Sequence, residues 1–196
     1  MKQQHQAGMT LIEMIVAMVL MGIAMISFTS FLVPQLAGAG DSHYQVRASA
    51  LGQSFMSQIL ARGFDQNSDF DGGAIRCSET TAGITADNCT STSDFGPDTG
   101  EGAPALFNDV DDYLGCWSTP DTAARCQLVN RGNISDILGQ NITTEYRNFR
   151  IEVRVCYSEF GRACNTGAIS SFKRVELEIF SGTQQPMSVV AYRGNY

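Results

Sequence analysis

Residues 8–33 read GMTLIEMIVAMVLMGIAMISFTSFLV, a glycine followed by about 25 apolar residues interrupted by a single acid, Glu13. As a helix rising 1.5 Å per residue, this run is roughly 37 Å long, enough to cross a hydrocarbon core of about 30 Å. An acid at the centre of a bilayer costs about 2.5–3.5 kcal/mol on insertion scales, so Glu13 needs a partner. Upstream, Met1–Gly8 carries Lys2 and no acid, and the first charge after Glu13 is Asp41. A basic flank ahead of the span predicts a cytoplasmic N-terminus, with the rest of the chain on the far side of the membrane.

Three kinds of segment fit this pattern. A secretory signal peptide would be cut near Ala37-Gly38-Ala39, but its apolar run is normally about 7–15 residues long. A plain single-pass anchor accounts for the length and leaves Glu13 without a purpose. The third kind is cut ahead of the apolar run, and here the residues carry a specific likeness. Gly8-Met9-Thr10-Leu11-Ile12-Glu13 resembles the class III leader of type IV pilins and pseudopilins: a short basic leader ending in Gly, a hydrophobic first mature residue, T-L-I-E or T-L-V-E, then an apolar run. The resemblance implies a prepilin peptidase that cuts between Gly8 and Met9 and methylates the new amine. Met9 stands where the family usually has Phe. The resemblance also gives Glu13 a role in subunit assembly. Its carboxylate would attract the charged terminal amine of a neighbouring subunit while helices stack into a filament, each charge sparing the other part of its desolvation cost.

Removing Met1–Gly8 takes Lys2 from the 13 basic residues, leaving 12 against 20 acidic ones and a formal charge of −8. That balance argues against a nucleic-acid partner, which would call for a basic patch. Six cysteines, Cys77, Cys89, Cys116, Cys126, Cys156 and Cys164, all lie beyond the span. An even count in a translocated domain reads as disulfides formed in an oxidising compartment. Of the fifteen possible pairings, sequence neighbours give Cys77–Cys89, Cys116–Cys126 and Cys156–Cys164, each closing a short loop worth roughly 3 kcal/mol. No C-x-x-C occurs and no histidine lies among the cysteines, which disfavours zinc.

Past Pro34 the pattern turns amphipathic. Tyr44, Ala48, Leu51, Phe55 and Ile59 recur every three or four residues, with Arg47, Gln53, Ser54 and Gln58 on other faces. One helix from Met9 to about Arg62 is predicted, bent or locally unwound at Pro34, which lacks an N–H for the helix ladder. Gly63 is a suitable stop. The expected divisions are a leader 1–8, a transmembrane and assembly helix 9–33, its amphipathic continuation 34–62, and a globular head 63–196. In the head, Phe149–Tyr157 and Val175–Ile179 alternate apolar with charged residues and Met187–Tyr192 is a third apolar run, predicting an antiparallel meander with one face on the helix and a charged face outward. Ser78–Pro104, rich in Thr, Ser, Asp and Gly, reads as a surface excursion pinned by cysteines. The fold class is therefore α+β. Long helix, variable loop region, antiparallel sheet and disulfide-pinned loops resemble the type IV pilin fold over the whole chain.

Chemistry is sparse. The two histidines are His5 and His43, so the head has none, and Ser-His-Asp and Cys-His nucleophile systems are unavailable within it. Carboxylate pairs such as Asp111 and Asp112 are adjacent in sequence and should point apart; no enzyme is expected. The best candidate for a bound ion is Asp65-Gln66-Asn67-Ser68-Asp69-Phe70-Asp71-Gly72-Gly73, where Asp65, Asn67, Asp69 and Asp71 offer oxygens at every second position before a turn, as a calcium loop requires. The twelfth position counted from Asn67 is Ser78, with Glu79 one residue late, so the EF-hand pattern is incomplete; Asp109, Asp111 or Asp112 would have to complete the shell. The plain alternative is a solvated turn after a helix. Trp117, beside Cys116, is expected to pack on a disulfide.

The resemblance implies a structural and assembly protein whose partners are other pilin subunits, the prepilin peptidase, the inner-membrane pilus assembly machinery and the membrane itself. It would be held in the inner membrane with the head in the periplasm, then moved into an extracellular pilus. Tyr44–Ala48, Phe64–Asp69 and Leu106–Tyr113 are similar to minor pilins of the mannose-sensitive haemagglutinin (MSHA) type. A type II secretion pseudopilin, and an anchored carbohydrate-binding head that never polymerises, are the rival readings.

Overall fold

The computed structural model describes residues 10–69, 75–81, 83–136, 139–164 and 167–196, with the side chains of 36–41, 81 and 84 left aside. Gly8 and Met9, and Phe70 to Gly73 of the acid-rich loop, lie outside the described residues. The chain divides into two compact units, Met1–His43 and Tyr44–Tyr196.

Helix α1, Leu11–Leu60, opens in the first unit and closes in the second. It begins at Thr10-Leu11-Ile12-Glu13, where a T-x-x-E sequence forms the acidic half of a capping box: Thr10 N–H donates to the Glu13 carboxylate (3.4 Å), while Glu13 N–H donates to the Thr10 backbone carbonyl (3.1 Å). The helix continues through Pro34, so the local unwinding expected there does not occur. Proline removes one ladder bond, and the turns on either side carry the helix across the gap. Ser27, Thr29 and Ser30 return their hydroxyls to the carbonyls of Ile23, Met25 and Ser27, so these polar residues of the apolar stretch are satisfied inside the helix.

In the second unit, strands β1 (Thr80–Thr81) and β2 (Ile84–Thr85) form a small hairpin. The main sheet has five strands: β3 (Gly115–Ser118), β4 (Asn130–Asn133), β5 (Phe149–Ser158), β6 (Phe172–Ser181) and β7 (Met187–Gly194). Their order is β4-β3-β5-β6-β7, antiparallel except for the parallel β3–β4 pair. The expected meander is β5-β6-β7, and the sheet is mixed because β3 and β4 extend it. The β5–β6 register sets Ile151 opposite Ile179, Val153 opposite Leu177, Val155 opposite Val175 and Tyr157 opposite Lys173. All eight are buried and share one face, since strand side chains alternate with period two.

Ala48, Leu51, Phe55, Met56 and Ile59 of α1 form one core with that face and with Val110, Tyr113, Trp117 and Ile134. Gly52 lets the helix approach closely, for a Cβ there would sit 2.9 Å from the end of Ile179. Gln58, expected on a solvent face, is buried with the core residues. Trp117 packs among Phe55, Phe107 and Tyr113 and donates its indole N–H to Tyr113 O (2.9 Å). Cys116 pairs across the sheet with Glu152, on the other face.

That other face is only partly solvated. Arg154–Glu178 (3.0 Å) and Arg174–Glu176 (2.5 Å) form partly exposed ion pairs, as an outward charged face should. Glu152 is fully buried instead. The segment after β3, tied back by Cys116–Cys126, covers it, and the backbone N–H groups of Gln127 (2.9 Å) and Leu128 (3.1 Å) donate to its carboxylate. The other disulfides are Cys77–Cys89 and Cys156–Cys164, which completes the neighbour pattern.

Candidate functional site

The sequence points to two places, and the structure gives them opposite characters. The first is the start of α1. From Leu11 to Gln35 the helix is long and apolar enough to cross a membrane, and none of it is buried within the chain. Leu11 is 79%, Met18 68%, Ile26 72% and Phe31 65% exposed. A continuous apolar surface of this extent is uncovered among the described residues, and water is not a tolerable partner for it. Glu13 lies at the head of this surface and holds the Thr10 N–H. Its acceptor capacity is not exhausted by one 3.4 Å bond, so the same carboxylate can still receive a second donor. The capping role was readable from T-L-I-E itself.

The second place is the acid-rich turn after α1. Gly63 N–H donates to Asn108 O (2.9 Å) and Val110 N–H to Gly63 O (3.1 Å), pinning the turn at 63–69 to the turn at 108–113. Asp65 is thereby carried inward and has no exposed surface. Its carboxylate accepts from Thr90 N–H (2.9 Å), Asn67 N–H (3.1 Å) and the Thr90 hydroxyl (3.1 Å), and from Lys173 Nζ (3.0 Å). Asp111 pairs with the same ammonium, and Asp109 is held beside them by the N–H groups of Gln66 (2.8 Å) and Asp111 (2.9 Å). Asp109 and Asp111 do join Asp65, as completing a shell would require, but the cation they join is Lys173.

Lys173, the only lysine beyond Lys2, is therefore an internal counter-ion. It is fully buried, with the rings of Phe95 (4.9 Å), Phe64 (5.0 Å) and Tyr157 (5.6 Å) around it. Burial works against its charge, yet the carboxylates of Asp111, Asp109 and Asp65 outweigh it and hold the pKa above the ordinary lysine value. Burial, reinforced by the Asp111 carboxylate, pushes Asp109 up to about 9. Burial, and then Asp65, raise Tyr157, whose hydroxyl donates to Thr90 O (2.7 Å).

Asn67 donates its side-chain amide to Asn88 O (2.9 Å), Asp69 is exposed, and Asp71 lies outside the described residues. Two further clusters have metal-like composition, Asp65 with Cys77 and Cys89, and Glu152 with Cys116 and Cys126. In both, the sulfurs are disulfide-bonded and so are not thiolate ligands.

Residues 3–29 match the family described as "Prokaryotic N-terminal methylation motif". No curated protein and no solved structure matches the chain. The motif covers the leader and most of the exposed apolar helix, while the disulfide-bonded head lies outside it. An exposed apolar helix bearing the prepilin-type methylation motif, continued into an α+β head with a mostly antiparallel five-stranded sheet, gives the chain a type IV pilin-like architecture.

Proposed function

We propose that the mature chain is a minor pilin. It is released by prepilin peptidase between Gly8 and Met9, methylated on the Met9 amine, held in the inner membrane and then incorporated into an MSHA-type pilus. The observation that carries this is the helix surface Leu11–Gln35, apolar, exposed along its length and headed by one carboxylate. Such a surface suits lipid before assembly and other copies of the same motif after it, and in both settings Glu13 gains from an ammonium at the neighbouring helix start. The head presents no built catalytic constellation among the described residues, and its work in this reading is display and support of pilus biogenesis and adhesion. The likeness of Tyr44–Ala48, Phe64–Asp69 and Leu106–Tyr113 to MshD favours a minor subunit of that pilus over a secretion pseudopilin.

Intact mass and N-terminal sequencing of the mature protein test the first step: a methylated Met9 start is expected, and a chain beginning at Gly40 would end the reading. Deletion of the gene tests the second. Loss of surface pili with normal protein secretion is expected, and the reverse pattern would assign the chain to a type II secretion system.

A further inference from the structure

The turn that supplies Asp109 and Asp111 to Lys173 also carries Asp112, which faces another way. Asp112 is 1% exposed. One of its oxygens, Oδ2, accepts from the N–H groups of Asn108 (2.9 Å) and Asp109 (3.0 Å). The other, Oδ1, is buried and has no hydrogen-bond partner. Its neighbours are two more carboxylates. Asp98 and Glu101 form a tight turn in which Glu101 N–H donates to Asp98 O (3.1 Å) and Asp98 N–H donates to Glu101 Oε2 (3.0 Å). One oxygen from each of Asp98, Glu101 and Asp112 lies within 4.8 Å of the other two.

The two acidic trios are close in composition and opposite in balance. Asp65, Asp109 and Asp111 surround an ammonium. Asp98, Glu101 and Asp112 have no such ammonium: among the described residues, none of the three takes part in an ion pair. Oxygens that share a calcium ion at 2.3–2.6 Å lie at most about 5 Å apart, which is the spread seen here. The set is all oxygen, as a hard divalent cation prefers, and Asp98, half-buried, leaves a path by which water reaches the rest of the coordination sphere.

We propose that Asp98, Glu101 and Asp112 form a calcium site that ties the 98–101 turn to the 108–113 turn. The unpartnered Asp112 Oδ1 is the inner ligand, Glu101 closes the site from the loop, and Asp98 holds its solvent side. The ion does for this trio what Lys173 does for its neighbour. The assignment is independent of whether the chain assembles in a pilus or a secretion system.

The test uses the full mature chain in detergent micelles, stripped with EGTA, titrated calorimetrically with calcium chloride at pH 7.5 and melted with and without the metal. One calcium per chain is expected, with a dissociation constant of about 1 mM or tighter and a higher melting temperature when bound. Asp98→Asn and Glu101→Gln should each weaken binding at least tenfold. In EGTA both should melt no lower than the parent, because each removes one of three like charges. Asp69→Asn, in the acid-rich loop, should bind as the parent does. Absence of heat and of any melting shift in the parent would overturn the site, since the three carboxylates would then be balanced by a shared proton. Binding that survives both variants, or is lost with Asp69→Asn, would overturn it equally by placing the ion elsewhere.

Discussion

The two ends of α1 bear the same kinds of residue and have opposite fates. Between Leu11 and Gln35 the large apolar side chains are exposed, and between Ala48 and Ile59 the core positions are 0–6% exposed under the sheet. The apolar residue types do not separate them, since Ile, Leu, Met, Phe, Ala and Gly occur in both. What separates them is where the partner is. The later stretch finds its partners within the chain, in β5, β6 and the 107–117 segment. The earlier stretch is exposed among the described residues, and its apolar surface is left for lipid or for other chains. Substitutions in the two stretches should therefore register in different measurements, assembly for the first and head stability for the second.

The largest effect expected is all-or-none. Glu13→Ala should remove the protein from sheared filaments while the head melts at an unchanged temperature, because the bond its carboxylate makes is to Thr10, at the start of its own helix. Incorporation at the parent level would sever the exposed helix from assembly and leave it a simple anchor.

Next in size is the ion pair at the head's centre. Lys173→Met leaves Asp65 and Asp111 buried without their cation and should cost the head about 3–5 kcal/mol, read by denaturant unfolding, without altering membrane insertion. A companion measurement needs no variant. Since Lys173 is the one lysine after the leader, an amine-reactive reagent should modify only the terminal amine of the folded mature chain. Lys173 should become reactive only on unfolding. Rapid labelling under native conditions would contradict its burial.

This pair also marks where the sequence stops being legible. The alternation through β5 and β6 is plain because each strand is ten residues long and apolar every second position. Lys173 stands two residues before Val175 on that inward face, yet a charged residue at a strand end reads as the place where burial stops. Its partners, Asp65 and Asp111, are 108 and 62 residues away, and the Gly63–Asp109 bridge and the Gln66–Asp109 bond bring the two aspartates together. Short strands hide for a related reason. In β3, Gly115-Cys116-Trp117-Ser118 is buried at every position, so period two is absent, and β4 is the polar edge Asn130-Arg131-Gly132-Asn133. The long helix was legible from its apolar run, while the bonds between Thr10 and Glu13 at its start are a local signal, three residues apart, that the reading of Glu13 as an assembly residue passed over.

A third prediction sets two glycines of the same helix against each other. Gly52→Val forces a branched side chain against Ile179 and Met187 and should cost the head about 1–3 kcal/mol through overpacking. Gly22→Val meets no atom within 4 Å and should leave the head's unfolding curve where it was. Equal responses at the two positions would mean that the head is not held by the close approach at Gly52.

The smallest effect is also the most closely matched, because the chemical change is identical at both sites. Ile59 has no exposed surface, and Ile23 is 57% exposed. Ile59→Val deletes one methylene from a packed interior and should cost about 0.5–1.5 kcal/mol in head unfolding. Ile23→Val deletes the same methylene from a surface that is exposed among the described residues, and should cost the head nothing measurable. In filaments the order should invert. If the surface around Ile23 packs against other subunits, its lost methylene appears there as weaker mechanical or thermal resistance of the filament, while Ile59→Val, buried within one head, leaves that resistance near the parent value. A filament indifferent to Ile23→Val would show that this part of the helix meets lipid or solvent and not a neighbouring helix.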